Sequence, residues 1–202
     1  MTDGKRLFDL AVSVPALVLS LPVQAVVAVA VRIRLGSPVL FSQERPGLDG
    51  QVFVMRKFRT MLSPDPAKGL VTDADRLTPF GTFLRSTSLD ELPTLWNIAR
   101  GDMSIVGPRP LLVRYLDRYS AQQARRHEVR PGLTGLAQVS GRNAVSWDQR
   151  LALDVHYVDT HSLRGDLRII GRTVAAVLRR DGISAEGDVT MPEFMGSTEG
   201  TS

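Results

Sequence analysis

The sequence has no cysteine in its 202 residues, which excludes a disulfide scaffold, a zinc ribbon, a cysteine nucleophile and thiol redox chemistry. Histidine is scarce as well. The chain has three, His127, His156 and His161, and none of them forms the His-Glu-x-x-His spacing of zincin metalloproteases. The glycine-rich patterns GxxxxGKS/T and GxGxxG are also absent, so the sequence does not support P-loop or Rossmann nucleotide binding.

Charge is present in ordinary amount, with a small excess of one sign. The chain has 25 lysines and arginines against 21 acidic residues, a net charge of +4 at pH 7, and 43% hydrophobic residues. This balance is typical of a folded globular chain rather than a disordered one. The basic excess favours phosphate-bearing partners: nucleotides, anionic lipid or nucleic acid.

One long stretch lacks charge altogether, namely the 22 residues between Asp9 and Arg32. As a straight helix this stretch would be about 33 Å long, close to the hydrocarbon thickness of a bilayer. Three interpretations compete: a cleaved signal peptide, a single-pass transmembrane helix, and a re-entrant helix that enters the membrane and leaves on the same side. The stretch is longer than a usual signal-peptide core, which weighs against the first.

Two features favour the re-entrant interpretation. Pro22 lies at the centre of the stretch and removes a backbone donor there, and Ser20 and Gln24 flank it with side chains that can bind freed backbone groups. Cationic residues lie at both ends, Lys5 and Arg6 before the stretch and Arg32 and Arg34 after it. Because such flanks prefer the cytoplasm, both ends are expected on the same face of the membrane.

The rest of the chain contains short strand and helix patterns. Residues 38–43 and 51–58 predict two strands around the turn 46–50. Apolar spacing predicts helices, which are expected over residues 79–85, 89–99, 110–126, 147–158 and, finally, 167–178 with an end at Gly182.

These patterns predict an α/β, mainly helical protein. We expect an N-terminal re-entrant membrane helix, a small β-hairpin, and amphipathic interfacial helices around a compact core. The predicted division is residues 1–35 for the membrane helix and its cytoplasmic flanks, 36–195 for a domain on the cytoplasmic face, which the candidate residues described next make the expected catalytic domain, and 196–202 for a disordered tail.

Asp90 and Glu91 are the leading candidates for chemistry. They lie in the segment Ser86-Thr87-Ser88-Leu89-Asp90-Glu91-Leu92-Pro93 at a predicted helix start. One interpretation is structural, because Ser88 and Glu91 have capping-box spacing. The other is chemical: at a helix N-terminus Asp90 is expected to be ionised, with a pKa near its usual value of about 3.9, and an ionised carboxylate is an oxygen nucleophile and a magnesium ligand.

Several cations are candidates for binding phosphate, since the planar guanidinium matches phosphate oxygens. Arg109, Arg130 and Arg142 lie on proline- and glycine-rich turns, and loops carry sites. The candidates are Lys57, Arg59, Arg85, Arg109, Arg130 and Arg142. Each arginine taken singly is more often an ordinary surface charge than a phosphate ligand.

Several strings resemble the bacterial sugar transferase family, the monotopic polyprenol-phosphate phosphoglycosyl transferases, in its minimal form. They are Lys5-Arg6-Leu7-Phe8-Asp9, Gln43-Glu44-Arg45-Pro46-Gly47, Lys57-Phe58-Arg59-Thr60-Met61, Ser86-Thr87-Ser88-Leu89-Asp90-Glu91-Leu92, Gly101-Asp102-Met103-Ser104-Ile105-Val106-Gly107-Pro108-Arg109-Pro110 and Arg130-Pro131-Gly132-Leu133-Thr134-Gly135.

The resemblance implies a Mg²⁺-dependent enzyme that moves a sugar 1-phosphate from a UDP-sugar to undecaprenyl phosphate and releases UMP. Asp90 would be the nucleophile of a covalent phosphosugar–aspartyl intermediate. Glu91 would assist with the metal and the phosphates, so that both carboxylates are the expected metal ligands.

It further implies a monotopic enzyme on the cytoplasmic face of a bacterial inner membrane, in contact with phospholipid and without a nucleic-acid partner. A homodimer or contacts with pathway enzymes stay open. Pro22, with Ser20 beside it, would bend the membrane helix, although Leu21 stands where many members have serine before that proline. Asp154 and Asp166 match further acidic positions of structural or metal-related role.

The donor sugar is a separate expectation. Residues 182–190 resemble members that use UDP-N,N′-diacetylbacillosamine, and UDP-N-acetylgalactosamine or another acetamido sugar is the alternative donor. Two other classes of function also stay open: a non-catalytic module that binds anionic lipid, and a nucleotide hydrolase that needs no polyprenol phosphate.

Overall fold

The computed structural model describes residues 3–141, 145–179 and 193–196. The α-helices are α1 (Asp3–Arg34), α2 (Asp73–Arg76), α3 (Pro79–Ser86), α4 (Thr94–Arg100), α5 (Ala121–Ala124), α6 (Leu136–Val139), α7 (Trp147–Thr160) and α8 (Leu163–Arg179). The strands are β1 (Leu40–Pro46), β2 (Val52–Phe58), β3 (Ser104–Val106) and β4 (Gly132–Thr134). Five short 3₁₀ helices lie between them, at Leu48–Gly50, Pro66–Lys68, Leu89–Glu91, Val113–Arg118 and Arg125–His127. The mainly helical α/β class is confirmed.

The predicted hairpin is present, formed by antiparallel β1 and β2. Leu40 pairs with Phe58 and Pro46 with Val52, so β1 begins two residues later than predicted and extends into the turn. Asp49 and Gly50 turn the chain with positive φ values of 53° and 73°, a conformation that Asp and Gly adopt more readily than most residues. The hairpin thereby places β2, which carries Lys57 near its end, against the 3₁₀ turn Leu89–Glu91.

A second, parallel pair of strands, β3 and β4, was not predicted from the sequence. Ser104 pairs with Gly132 and Val106 with Thr134. A Cβ atom on Gly132 would lie 2.1 Å from the backbone nitrogen of Gly107, so glycine permits this close approach. The pair fixes the beginning of the loop 107–110, which carries Arg109.

Helix α1 is long and apolar enough to cross a membrane, and only 11% of its most apolar window is buried in the protein. It remains helical through Pro15 and Pro22, so the structure has no non-helical residue at the predicted break. Ser20 donates its hydroxyl to the Leu17 carbonyl at 3.0 Å and accepts from the Gln24 amide at 2.9 Å. These two polar side chains therefore bond within the helix beside Pro22.

Both ends of α1 contact the same folded body. Near the N-terminus, Lys5 forms a buried ion pair with Asp166 of α8 at 2.6 Å, and Arg6 donates to the Ile98 carbonyl at the end of α4, also at 2.6 Å. Towards the C-terminus, Val27 and Val31 pack in a cluster with Phe58 and Leu84, while the apolar side chains around Pro22 stay exposed.

Two predicted helices are wrong in their extent. The helix expected over 89–99 is divided into the 3₁₀ turn Leu89–Glu91 and α4, because Pro93 has no N–H to continue the first segment and instead precedes the second. The helix expected over 110–126 is three short segments. There Tyr119 is extended, and Ser120 begins a new helix through a capping box with Gln123.

The final helix, α8, is amphipathic. Asp166 and Ile169 are buried, whereas Leu167 and Leu178 are among its exposed apolar side chains. Its predicted end at Gly182 and the tail 197–202 lie outside the described residues. The predicted domain boundaries stay predictions.

Residues 193–196 add one element to the body. Phe194 is 2% exposed and packs against the rings of Tyr115 and Trp147, with centroids 5.7 and 5.3 Å away. These rings pack in one cluster with Leu111, the residue that directly follows the Arg109 loop.

Candidate active site

Asp90 is held by a tight turn between two helices. Thr78 caps the N-terminus of α3 by accepting from the Gly81 N–H, and α3 ends at Ser86. Ser88 then adopts a left-handed conformation, with φ of 56°, and reverses the chain into the 3₁₀ turn that carries Asp90. The Ser88 hydroxyl makes no capping hydrogen bond, so the capping-box interpretation of Ser88 and Glu91 is wrong.

The Glu91 carboxylate is occupied by two cations. Lys57 at the end of β2 and Arg109 both bind the same oxygen, Oε1, the latter at 3.2 Å. Burial alone would raise the pKa of Glu91, but the charges and hydrogen bonds of Lys57 and Arg109 outweigh it and lower the pKa to about 2. Glu91 is therefore ionised at every physiological pH. Burial, reinforced by the Arg109 charge, lowers the pKa of Lys57.

Asp90 has the opposite character. Asp90 is only 8% exposed, and its side chain accepts no hydrogen bond from the part of the chain that the structure describes. Burial and the neighbouring Glu91 charge raise its pKa to about 6, against the opposing charges of Lys57, Arg85 and Arg109. The expectation of a near-normal pKa is therefore wrong, because it treated Asp90 as a solvated helix terminus. The carboxylate is still mostly ionised at pH 7.

Arg85 approaches Asp90 from the last turn of α3. Its Nε donates to the Thr60 hydroxyl at 3.1 Å, and its charge favours the ionised form of Asp90. Asp90, Glu91, Lys57, Arg85 and Arg109 consequently form one cluster of two carboxylates and three cations. We call this group of five residues the dyad cluster.

Three of the predicted phosphate-binding cations are not seen in this cluster. Arg59 points the other way and donates to the carbonyls of Leu35 and Ser37, because β2 ends at Phe58 and the alternation of the strand does not reach residue 59. It fixes the chain where α1 ends. Arg130 donates its Nε to the Gly101 carbonyl at 2.6 Å, and Arg142 lies outside the described residues.

The other predicted acidic residues form buried ion pairs elsewhere. Asp154 on α7 binds Arg126, and Asp166 binds Lys5 and the Tyr157 hydroxyl. Neither is hydrogen-bonded to Asp90 or Glu91. These contacts agree with the structural one of the two roles expected for Asp154 and Asp166.

The donor set can be tested against a magnesium ion. Within the described ranges no group of three or more His, Cys, Asp or Glu side chains could hold a metal. However, magnesium is commonly held by one or two carboxylates together with substrate phosphates and water. The unbonded Asp90 carboxylate and the second oxygen of Glu91, for which the described residues provide no hydrogen bond, fit that arrangement.

Sequence reasoning missed three residues that support the dyad cluster. Thr60 orients Arg85, Arg126 binds the backbone of Arg109, and Arg45 binds the backbone of Pro110. Arg45 and Thr60 had a signal in the sequence, since each lies in a string shared with the resemblance described above, whereas Arg126 had none. Nothing in the pair Arg125-Arg126 indicates which arginine is buried.

Comparison with known proteins gives a consistent result. The profile of the family "Bacterial sugar transferase" matches residues 2–180. The "Uncharacterized sugar transferase EpsL" of Bacillus subtilis is 49% identical over 194 residues, which cover 96% of either chain.

Two relatives have names that state a reaction. The UDP-glucose:undecaprenyl-phosphate glucose-1-phosphate transferase of Caulobacter vibrioides is 42% identical over 88% of this chain and 70% of its own length. The undecaprenyl-phosphate galactose phosphotransferase of Salmonella typhimurium is 39% identical over 88% of this chain. The matched region is 41% of the length of that relative.

Proposed function

This chain belongs to the bacterial sugar transferase family, and from that premise we propose that it is a phosphoglycosyl transferase that moves a sugar 1-phosphate from a UDP-sugar to undecaprenyl phosphate and releases UMP. The names of the Caulobacter and Salmonella relatives support both substrates. The observation that carries the proposal is the Asp90 carboxylate, which is buried beside three cations and accepts no hydrogen bond within the described residues.

Asp90 is the proposed nucleophile. One of its oxygens attacks the sugar-proximal phosphorus of the UDP-sugar, and the bond from that phosphorus to the bridging oxygen breaks, so that UMP leaves with the bridging oxygen. An oxygen of undecaprenyl phosphate then attacks the same phosphorus and displaces the Asp90 carboxylate. Both steps exchange one P–O bond for another, and the enzyme returns to its starting state.

The cations of the dyad cluster provide the electrostatic part of the mechanism. Arg85 and Arg109 carry planar guanidinium groups that match phosphate oxygens and oppose the charge that develops on them. Glu91 binds Lys57 and Arg109 and so holds two of the positive charges in place beside Asp90.

Mg²⁺ is the proposed cofactor, with Asp90 and the second oxygen of Glu91 as its protein ligands. When bound, the ion would neutralise charge on the diphosphate. This role is supported by the composition of the donor set and by the preference of magnesium for oxygen ligands that include substrate phosphates.

The long exposed helix α1 supports association with a membrane, and we propose the re-entrant topology, on the cytoplasmic face of the bacterial inner membrane. A straight spanning helix delivers its two ends to opposite surfaces. Here Lys5 and Val31, near opposite ends of α1, both contact the same folded body. Contact with phospholipid around Pro22 follows from this topology.

Cysteine labelling tests the topology, because the chain has no cysteine of its own. Gly4→Cys and Ile33→Cys introduce single thiols at exposed positions at the two ends of α1. We expect a membrane-impermeant maleimide to label both from the cytoplasmic face and neither from the outer face. Labelling of one of them from the outer face would contradict the re-entrant topology.

Two further variants calibrate that labelling experiment. Val71→Cys, at an exposed residue of the body, reports the cytoplasmic face. Leu19→Cys, at a residue 78% exposed in the protein alone, is expected to be protected from both faces because lipid surrounds it.

The donor sugar is tested with a panel of UDP-sugars. We retain UDP-N,N′-diacetylbacillosamine as the proposed donor, with UDP-N-acetylgalactosamine as the alternative. The segment 182–190, which suggests UDP-N,N′-diacetylbacillosamine, lies outside the described residues. The names of the Caulobacter and Salmonella relatives state glucose and galactose instead. We expect UMP release from one class of donor, with sustained turnover only when undecaprenyl phosphate and Mg²⁺ are present. Sustained turnover without the lipid would indicate a hydrolase, and none with any donor would favour a lipid-binding module.

A further inference from the structure

The loop that carries Arg109 depends on hydrogen bonds from other parts of the chain for its position. Pro108 and Pro110 bracket Arg109 and have no N–H to donate. The first half of the loop is fixed by the β3–β4 pair: the Gly107 N–H donates to the Thr134 carbonyl and the Gly132 N–H donates to the Pro108 carbonyl, both at 2.9 Å. Beyond Pro108 the strands provide no further backbone partner.

Two arginines from elsewhere in the chain hold the second half. The Arg109 carbonyl accepts from Nη2 of Arg126 at 2.7 Å, and the Pro110 carbonyl accepts from Nη1 of Arg45 at 3.1 Å. Arg126 is 2% exposed, so its guanidinium is held by contacts within the protein rather than by water. A shift of this guanidinium would move the backbone from which the Arg109 side chain extends.

Asp154 fixes the orientation of Arg126. Its Oδ2 accepts from both Nε and Nη2 of Arg126, at 3.1 and 2.7 Å, and the Tyr119 hydroxyl lies 3.4 Å from Nη1. A buried ion pair is by itself a weak stabiliser, since desolvation offsets its attraction. This pair differs from an isolated ion pair because Arg126 also donates a hydrogen bond to the Arg109 carbonyl. Since Asp154 lies on α7, the pair connects α7 to the dyad cluster.

We propose that Arg126 and Asp154 are positioning residues for Arg109. On the proposed function, the ion pair holds the Arg109 carbonyl so that the Arg109 side chain meets the donor diphosphate. Lysine cannot replace Arg126 in this role, because one ammonium does not reproduce the rigid fork that binds Asp154 and the carbonyl together.

The test compares two matched pairs of variants. Asp154→Asn and Arg126→Lys perturb the buried pair, whereas Asp159→Asn and Arg125→Lys perturb the neighbouring exposed pair, in which Arg125 and Asp159 are 2.6 Å apart. We expect kcat/KM for the UDP-sugar to fall about 100-fold in the buried variants, the scale of a misplacement of about 1 Å, and to stay unchanged in the exposed ones. Thermal unfolding checks that each variant is folded, and Arg126→Lys keeps a cation beside Asp154 should Asp154→Asn not fold.

A double-mutant cycle separates positioning from general stabilisation. In an Arg109→Ala background, Arg126→Lys and Asp154→Asn are expected to cause no further loss of kcat/KM, because their effect acts through Arg109. Losses that simply multiply would overturn the proposal.

Calorimetric binding of UDP provides a readout without turnover. A parent chain that neither binds UDP nor releases UMP rejects the proposed function and this inference together, whereas an active parent with unaffected Asp154→Asn rejects this inference alone.

Discussion

Asp90→Asn is expected to lower UMP release by roughly four to six orders of magnitude, the range seen when a nucleophile or its activating carboxylate is removed from other enzymes. The amide keeps the shape of the side chain but has no anionic oxygen to attack phosphorus. The sharpest measurement uses donor without undecaprenyl phosphate. We expect the parent to release about one UMP per active site in a burst, and the variant to release none.

Stability provides the internal control for this loss. The pKa of Asp90 is raised from 3.8 to about 6 in the folded protein, so ionising it at pH 7 opposes folding by roughly 3 kcal/mol. Asparagine avoids this penalty, and the variant should unfold at a temperature no lower than that of the parent. Asp49→Asn, at an exposed left-handed residue where asparagine fits equally well, should leave the burst intact. A full burst from folded Asp90→Asn would contradict the covalent mechanism.

Local patterns predicted the elements whose partners are near in sequence. The hairpin follows from its turn residues, and α3 begins where Thr78 precedes Pro79, a favourable start for a helix. Arg85 lies five residues before Asp90, so a helix followed by a tight turn brings them close. The clustering of Asp90 and Glu91 with Lys57, Arg85 and Arg109 agrees with the predicted site.

Properties set by distant residues could not be predicted in this way. Ser88 and Glu91 have capping-box spacing, yet Lys57 and Arg109, from other parts of the chain, take the Glu91 carboxylate. Arg125 and Arg126 are neighbours in sequence, but the first is partly exposed and the second is buried against α7. The raised pKa of Asp90 likewise depends on burial, which no spacing in its own segment encodes.

At donor and Mg²⁺ concentrations well below saturation, where the rate reports the free enzyme, the rate of the donor-only burst is expected to fall about tenfold for each pH unit below pH 6, reaching about 100-fold at pH 4. Asp90 must be ionised to attack, and its pKa is raised to about 6, so acid protonates the nucleophile. Glu91, with its pKa lowered to about 2, does not titrate in this window. Omitting undecaprenyl phosphate is essential, because its phosphate monoester has its own second pKa of about 6.

Glu91→Gln tests the assignment of this acid limb to Asp90. The Glu91 charge is one cause of the raised pKa of Asp90 and also engages Lys57 and Arg109. Removing it leaves those cations to favour the ionised form of Asp90, so the pKa of Asp90 falls and the acid limb of the burst should move to lower pH, whatever happens to the rate at the plateau. A limb that stays in place or moves to higher pH would show that another group controls the burst, and Asp90 could then not be the titrating nucleophile.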